Sequence, residues 1–249
     1  MMATQTSIGA LERSRSARAR TRRFGANLVS ASRPTRLIAL AGLASFDLIV
    51  VAIFVAPPLW NAPGTMATGS RVAAYAQHYS GRIIASLLLY SLAMGLFLCF
   101  TAGLSAWLGE RERPPHALSA IVAFGAVALA VLVMAAFVPA YMLSYRAQPA
   151  TIAGPLADLT FGLLALSGVP AAACLAAYAA LVMRSRCLPV WTALLAEGSA
   201  LAHVLIAASF VSHGAFLSLE SPVIVWVPAT FFAWIAAASV ALLRAKPNA

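Results

Sequence analysis

The sequence predicts an all-α, polytopic membrane protein built as a bundle of six transmembrane helices. Hydrophobic residues make up 62% of its 249 residues and charged residues only 10%, whereas a typical soluble domain has about 45–50% and 25%. The mean hydropathy is +0.88. Apolar stretches of about twenty residues, enough to cross a ~30 Å hydrocarbon core, recur along the chain. A water-soluble fold could not bury this much apolar surface, so soluble classes are excluded.

Six spans are predicted within a transmembrane domain of residues 36–244. They cover roughly residues 37–60, 83–108, 117–141, 155–182, 188–211 and 222–243. The ten-residue alternation of barrel strands is absent from the sequence, which favours helices. Pro170, inside the fourth span, predicts a kink there.

The distribution of basic residues predicts the orientation. Of the 17 basic residues, 14 lie before the first span, in the second-to-third and fourth-to-fifth loops, or after the last span. The opposite side holds only Arg71, Arg82 and Arg146. Because basic residues accumulate on the cytoplasmic side, both termini are predicted to be cytoplasmic. We expect a multi-pass protein of the bacterial plasma membrane.

Residues 1–35 are predicted to form a disordered, basic cytoplasmic tail, and residues 245–249 a second, short one. Eight arginines precede the first span, so we expect the first tail to bind anionic lipid headgroups. Nucleic-acid binding is not favoured, since the basic residues of the chain sit at the edges of apolar spans.

One external segment, Asn61–Arg82, carries a helical pattern. Val72, Tyr75 and Tyr79 recur at the spacing of one helix face. The pattern predicts a short helix on the outer surface, and a packed loop is the alternative.

The most informative residues are carboxylates inside the spans. Asp47 and Glu197 are both predicted about 15–16 Å from the cytoplasmic edge, near the midplane. A charge there costs about 2.5–3.5 kcal/mol on insertion scales, and no Lys or Arg lies deep in any span to pair with it. Three interpretations remain open: polar contacts between helices, a proton or cation relay, and an enzymatic role.

Other polar residues extend this candidate site. His203 follows Glu197 by six residues, so the two could border one cavity although they would not touch within the helix. A lone histidine on an apolar helix is more often hydrogen-bonded in the core than a ligand. If the first and fifth spans are neighbours, Asp47 and Glu197 could share a proton. Asp158, three residues after Pro155, is interpreted as an acid in the first turn of its helix.

No cofactor or metal is predicted. The sequence contains no phosphate-binding loop, HExxH or CxxC spacing. Its three cysteines, Cys99, Cys174 and Cys187, lack metal-ligand spacing.

Two segments give the layout a resemblance to a known type of family. They are YAQHYSGRIIASLLLYSLAMGLFLCF (Tyr75–Phe100) and CLPVWTALLAEGSALAHVL (Cys187–Leu205). With six spans, they resemble uncharacterised six-helix bacterial membrane families of the domain-of-unknown-function type. The resemblance covers most of residues 35–245, implies six helices and supplies no catalytic residues.

The sequence therefore favours a non-enzymatic helical-bundle membrane component. The alternative is a small-solute or proton/cation transporter that uses the intramembrane carboxylates, and an intramembrane enzyme ranks third. A homo-oligomer is compatible with either of the first two. The expected site residues are Asp47, Glu197 and His203.

Overall fold

The structure is a computed structural model, and it describes residues 34–58, 61–64, 66–208 and 222–245. Most of the basic N-terminal tail, Trp60 and the C-terminal residues 246–249 lie outside the described residues. The described residues form the following α-helices: α1 (Pro34–Val55), α2 (Gly69–His78), α3 (Ser80–Gly109), α4 (Ala117–Tyr145), α5 (Ala150–Leu166), α6 (Gly168–Ser185), α7 (Val190–Ala208) and α8 (Pro222–Arg244).

The predicted fold class is confirmed. Six helical segments are long and apolar enough to cross a membrane: α1, α3, α4, the combined α5–α6 segment, α7 and α8. The chain is therefore a multi-pass integral membrane protein in contact with the lipid bilayer.

The membrane helices contact one another in the order α1, α3, α4, α6, α7, α8, and α8 contacts α1 again. Helix α4 also packs on α5, and α5 on α2. The contact between α1 and α8 depends on Gly42 of α1, where an added Cβ would collide with Ser239 of α8 and Phe100 of α3. Ser45 adds a hydrogen bond of 2.9 Å to the Ala93 carbonyl of α3. Helix α8 therefore lies between α1 and α7.

An aromatic cluster joins α3, α6 and α8 in the core. The indole of Trp234 is fully buried. Its ring centroid lies 6.1 Å from that of Phe100, 5.2 Å from Tyr178 and 5.4 Å from Phe231. The Tyr178 hydroxyl donates a 3.0 Å hydrogen bond to Thr192 of α7. The Trp234 indole thus connects α3, α6 and α8, and the hydrogen bond from Tyr178 links this cluster to α7.

Helix α1 ends earlier than predicted, at Val55 rather than residue 60. Pro57 and Pro58 follow directly, and proline cannot continue a helix interior. The Arg82 guanidinium donates hydrogen bonds of 3.0 and 2.7 Å to the carbonyls of Val55 and Ala56. These bonds satisfy helix-end acceptors and place a positive charge at the negative end of the helix dipole.

The short helix predicted within Asn61–Arg82 is present as α2. It buries Val72 and Ala76 against Leu143 of α4 and Ala153 of α5. These helices form a small second core at one end of the bundle, and we call this end the α2 end.

The fourth predicted span is interrupted at Ser167, between α5 and α6, three residues before Pro170. Proline lacks the N–H that would bond to the carbonyl four residues earlier, at Leu166, and α5 ends at that residue. Gly168 then begins α6 against the α7 backbone, where an added Cβ would lie 2.5 Å from the His203 carbonyl oxygen. The break therefore places α6 in close contact with α7.

The first-turn interpretation of Asp158 is wrong. Helix α5 begins at Ala150, and its first turn contains no acid. Asp158 is exposed, and it directly follows Leu156 and Ala157, which pack on the small core formed with α2. Asp158 therefore lies in the part of α5 near the α2 end.

At the other end of the bundle, Glu112 caps α4. Its carboxylate accepts hydrogen bonds of 2.8 and 2.9 Å from the backbone N–H groups of Leu118 and Ser119. Desolvation raises the pKa of Glu112, but the hydrogen bonds from Ser119 and Leu118, with the nearby His116, outweigh it and leave the pKa below its usual value. The cap is therefore charged at neutral pH and fixes the loop between α3 and α4.

Candidate intramembrane carboxylate sites

Asp47 lies on the lipid-facing side of α1. It follows Gly42, which packs against α3 and α8, by five positions, which is about 140° around the helix. Its side chain is exposed. The residues that share this face are also exposed: Leu37, Leu40, Ala44, Val51 and Phe54. Asp47 is thus the one polar residue in an otherwise apolar stripe.

Glu197 occupies an equivalent position on α7. It precedes Ser199, which contacts α8, by two residues, so the two point about 160° apart. Its side chain is exposed, as are those of Leu194, Leu201 and Val204 on the same face. An added Cβ at the adjacent Gly198 would meet nothing within 4 Å. This face of α7 is open.

Neither carboxylate has a partner in the part of the chain that the structure describes. No hydrogen bond or ion pair joins Asp47 or Glu197 to any described residue, and both point away from α8, the helix between them. Asp47 lies thirteen residues after the start of α1 at Pro34, and Glu197 seven residues after the start of α7 at Val190. These positions correspond to about 20 and 10 Å along the two helices. Both carboxylates thus lie well inside their helices, and the structure does not bring them together.

His203 has a different environment. It is buried, and its Nδ1 lies 2.8 Å from the Ser199 carbonyl oxygen. Because a carbonyl can only accept, Nδ1 carries a proton. The ring centroid lies 5.6 Å from that of Phe231 on α8. His203 is therefore a hydrogen-bonded core residue, and it points inward while Glu197 points outward.

The hydroxyls beside His203 connect α7 to α8. Thr230 donates a 2.7 Å hydrogen bond to the Val227 carbonyl, and its oxygen lies 2.9 Å from the Ser199 hydroxyl. Since the Thr230 proton is already used, Ser199 donates in the second bond. The Ser199 and Thr230 hydroxyls thus form a contact between α7 and α8 that needs no ligand.

The arrangement limits the chemistry available to the carboxylates. Within the described ranges, no three His, Cys, Asp or Glu side chains lie together in a way that could hold a metal ion. A lone carboxyl that faces lipid can bind a proton, or it can accept hydrogen bonds from a group supplied by another molecule.

Comparison with known protein families, with curated proteins and with solved structures finds no match to this chain. The resemblance to six-helix bacterial families stays a prediction. Function must therefore be inferred from the geometry of the chain itself.

Proposed function

We propose that this protein is a non-enzymatic membrane component that binds a transmembrane helix of another protein through Asp47 and Glu197. One observation carries the proposal: two carboxylates lie well inside the membrane helices α1 and α7, on exposed and otherwise apolar stripes, and have no hydrogen bond or ion pair within the described residues. Each costs about 2.5–3.5 kcal/mol when charged in hydrocarbon. A partner helix that supplies a hydrogen-bond donor or a positive charge would offset that cost.

The chemistry of the partner follows from what this chain lacks. Basic residues of its described membrane helices occur only near helix ends, as with Arg36, Arg82, Arg184 and Arg244. A second copy would therefore bring no positive charge to the middle of the membrane. Its carboxyls could share a proton with those of the first copy, but they could not form an ion pair with them. A helix with an Arg, Lys or amide side chain at its centre is complementary, and this favours a hetero-complex over a homo-oligomer.

A synthetic transmembrane helix tests this directly. The purified chain and a fluorescent poly-leucine helix with one central arginine are incorporated in vesicles, and association is measured by energy transfer. We expect the arginine helix to bind more tightly than an all-leucine helix. The double variant Asp47→Asn with Glu197→Gln should remove most of that difference, because an amide cannot form the ion pair.

Asp158→Asn is the matched control. This exposed carboxylate lies near the α2 end and not in the middle of the α5–α6 segment, so its loss should leave the association unchanged. Equal binding of the two peptides by the unmodified chain, or equal effects of the control and the double variant, contradicts the proposal. Proton or cation flux through the same vesicles that Asp47→Asn abolishes would instead establish the transporter alternative. Self-association that the same substitution abolishes would indicate a homo-oligomer.

We further propose the orientation that the charge distribution favours, with both termini cytoplasmic and the α2 end outside. The loop between α3 and α4 carries Arg111 and Arg113, while Arg184 lies in the last turn of α6 and Arg186 directly follows that helix. Both pairs lie at the end of the bundle opposite α2. Anionic lipid contacts of the basic tail belong to the same proposal, as does a bacterial plasma membrane location.

Reporter fusions check this orientation. An enzyme active only outside the cytoplasm should be active when fused after residue 65, 148 or 216, and inactive after residue 112, 185 or 247. A reporter that matures only in the cytoplasm should give the opposite result and serves as the control. A reproducible reversal at any of these positions would overturn the orientation.

A further inference from the structure

A shallow cleft at the α2 end is separate from both carboxylates. It has a volume of about 590 Å³ and lies where α2 meets the start of α3. Its lining is mostly polar and aromatic: Asn61, Arg71, Ala74, Tyr75, His78 and Tyr79. Because α3 begins at Ser80 and enters the membrane directly, the cleft lies at the membrane boundary, at the level of lipid headgroups.

The cleft is rich in unused hydrogen-bond donors. The Arg71 side chain is exposed and makes no ion pair or hydrogen bond within the described residues. The Asn61 side-chain amide donates a 3.1 Å hydrogen bond to the Tyr79 hydroxyl oxygen. Tyr79 therefore keeps its own proton for another acceptor. The Tyr75 hydroxyl also has no hydrogen-bond partner in the described part of the chain.

The aromatic rings hold these donors in place. The Tyr75 and Tyr79 centroids lie 5.0 Å apart, and the His78 ring meets Tyr79 edge-on at 4.5 Å. Side chains held by such ring contacts lose little further freedom when a ligand binds. The cleft therefore presents its donors in a partly fixed arrangement.

The charge around the cleft is positive. The segment Asn61–Arg82 contains two arginines and no acid. Burial raises the pKa of Tyr75 above its ordinary value, as does the neighbouring Tyr79, while the Arg82 charge acts in the opposite direction. The Tyr75 phenol thus remains protonated at neutral pH and can donate.

From this donor set we propose that the cleft binds a phosphate group. A guanidinium matches two phosphate oxygens at once, and phenol protons can reach the remaining oxygens. A metal cation would be repelled, because Arg71 is charged and no carboxylate is present in the lining. The phosphate could belong to a phospholipid headgroup or to a soluble molecule, and both share this chemistry.

Two binding measurements on the same protein distinguish a soluble phosphate from a phospholipid headgroup. The chain is purified in detergent and stripped of lipid. Binding of inorganic phosphate is measured by calorimetry, and binding of phosphatidylglycerol against diacylglycerol by native mass spectrometry. We expect phosphatidylglycerol to bind and the phosphate-free lipid to bind much less. Arg71→Gln should weaken binding about tenfold or more, because it removes a charge-assisted hydrogen-bond pair.

Arg146→Gln is the matched control. Arg146 is also exposed at the α2 end and does not line the cleft, and its guanidinium carbon lies 5.8 Å from the Tyr145 ring centroid. The Arg146→Gln variant should bind phosphatidylglycerol as the unmodified chain does. Tyr79→Phe should weaken this binding, although it keeps the ring contacts. Binding of inorganic phosphate alone supports the site with a soluble ligand, and binding of phosphatidylglycerol alone supports it with a lipid. Equal losses in Arg71→Gln and Arg146→Gln, or no binding in either arm, overturn the proposal.

Discussion

Trp234→Ala is expected to lower the free energy of unfolding by about 3 kcal/mol, the lower end of the range for deleting a buried aromatic ring. The lower end applies because unfolded helices remain in lipid, which is as apolar as the core, so the loss comes mainly from packing. The Trp234 indole N–H is buried without a hydrogen-bond partner. No hydrogen bond is therefore lost, and the cavity between Phe100, Tyr178 and Phe231 accounts for the effect.

Denaturant unfolding in detergent micelles, followed by circular dichroism, measures this loss. Trp226→Ala is the control on the same helix, since Trp226 is 70% exposed. Its removal should change stability by no more than about 0.5 kcal/mol. Similar losses in both variants would show that the aromatic cluster does not hold α3, α6 and α8 together.

The number of membrane helices could be predicted from the sequence because length and hydropathy determine it. Helix ends were harder to predict, because they depend on contacts from elsewhere in the chain. Arg82, distant in sequence, caps α1 at Val55. Helix α5 starts at Ala150 and packs on α2, a short helix that the sequence placed on the surface. The position of Asp158 was misjudged for the same reason.

The depths of Asp47 and Glu197 could be estimated by counting residues along a helix. The direction of their side chains could not, because lipid and a helical core are equally apolar and no polar side of the helix marks solvent. The residues around Asp47 are as apolar as those that face α3 and α8. Only the contacts of Gly42 and Ser199 with other helices show that both carboxylates point outward.

The cleft at the α2 end was not predicted, although two of its residues, Tyr75 and Tyr79, belong to the helical pattern found in the sequence. The spacing of Val72, Tyr75 and Tyr79 predicted a helix, and α2 is that helix. Its buried residues are Val72 and Ala76, while Tyr75 and Tyr79 line the cleft. Asn61 comes from a turn eighteen residues before Tyr79, and such a contact leaves no periodic signal in the sequence.

Replacing Asp47 or Glu197 with leucine is expected to stabilise the isolated chain in the membrane. Each carboxylate costs about 2.5–3.5 kcal/mol at the centre of a helix when charged, and neither makes a contact within the described residues that the substitution would break. Leucine also continues the apolar stripes around each position, formed by Leu40 and Val51 on α1 and by Leu194 and Leu201 on α7. The same variants should lose association with the arginine helix. Stability and binding would then change in opposite directions.

Two measurements on the same variants test whether the isolated chain becomes more stable. Membrane insertion of α1 and α7 is scored in a translation assay, and stability by unfolding in lipid micelles. Asp158→Leu is the control, because a side chain near the α2 end, away from the middle of the α5–α6 segment, should gain little from becoming apolar. If Asp47→Leu destabilises the isolated chain instead, its carboxylate has a partner within this protein. The outward placement would then be wrong, and the intermolecular role proposed for Asp47 would fail with it.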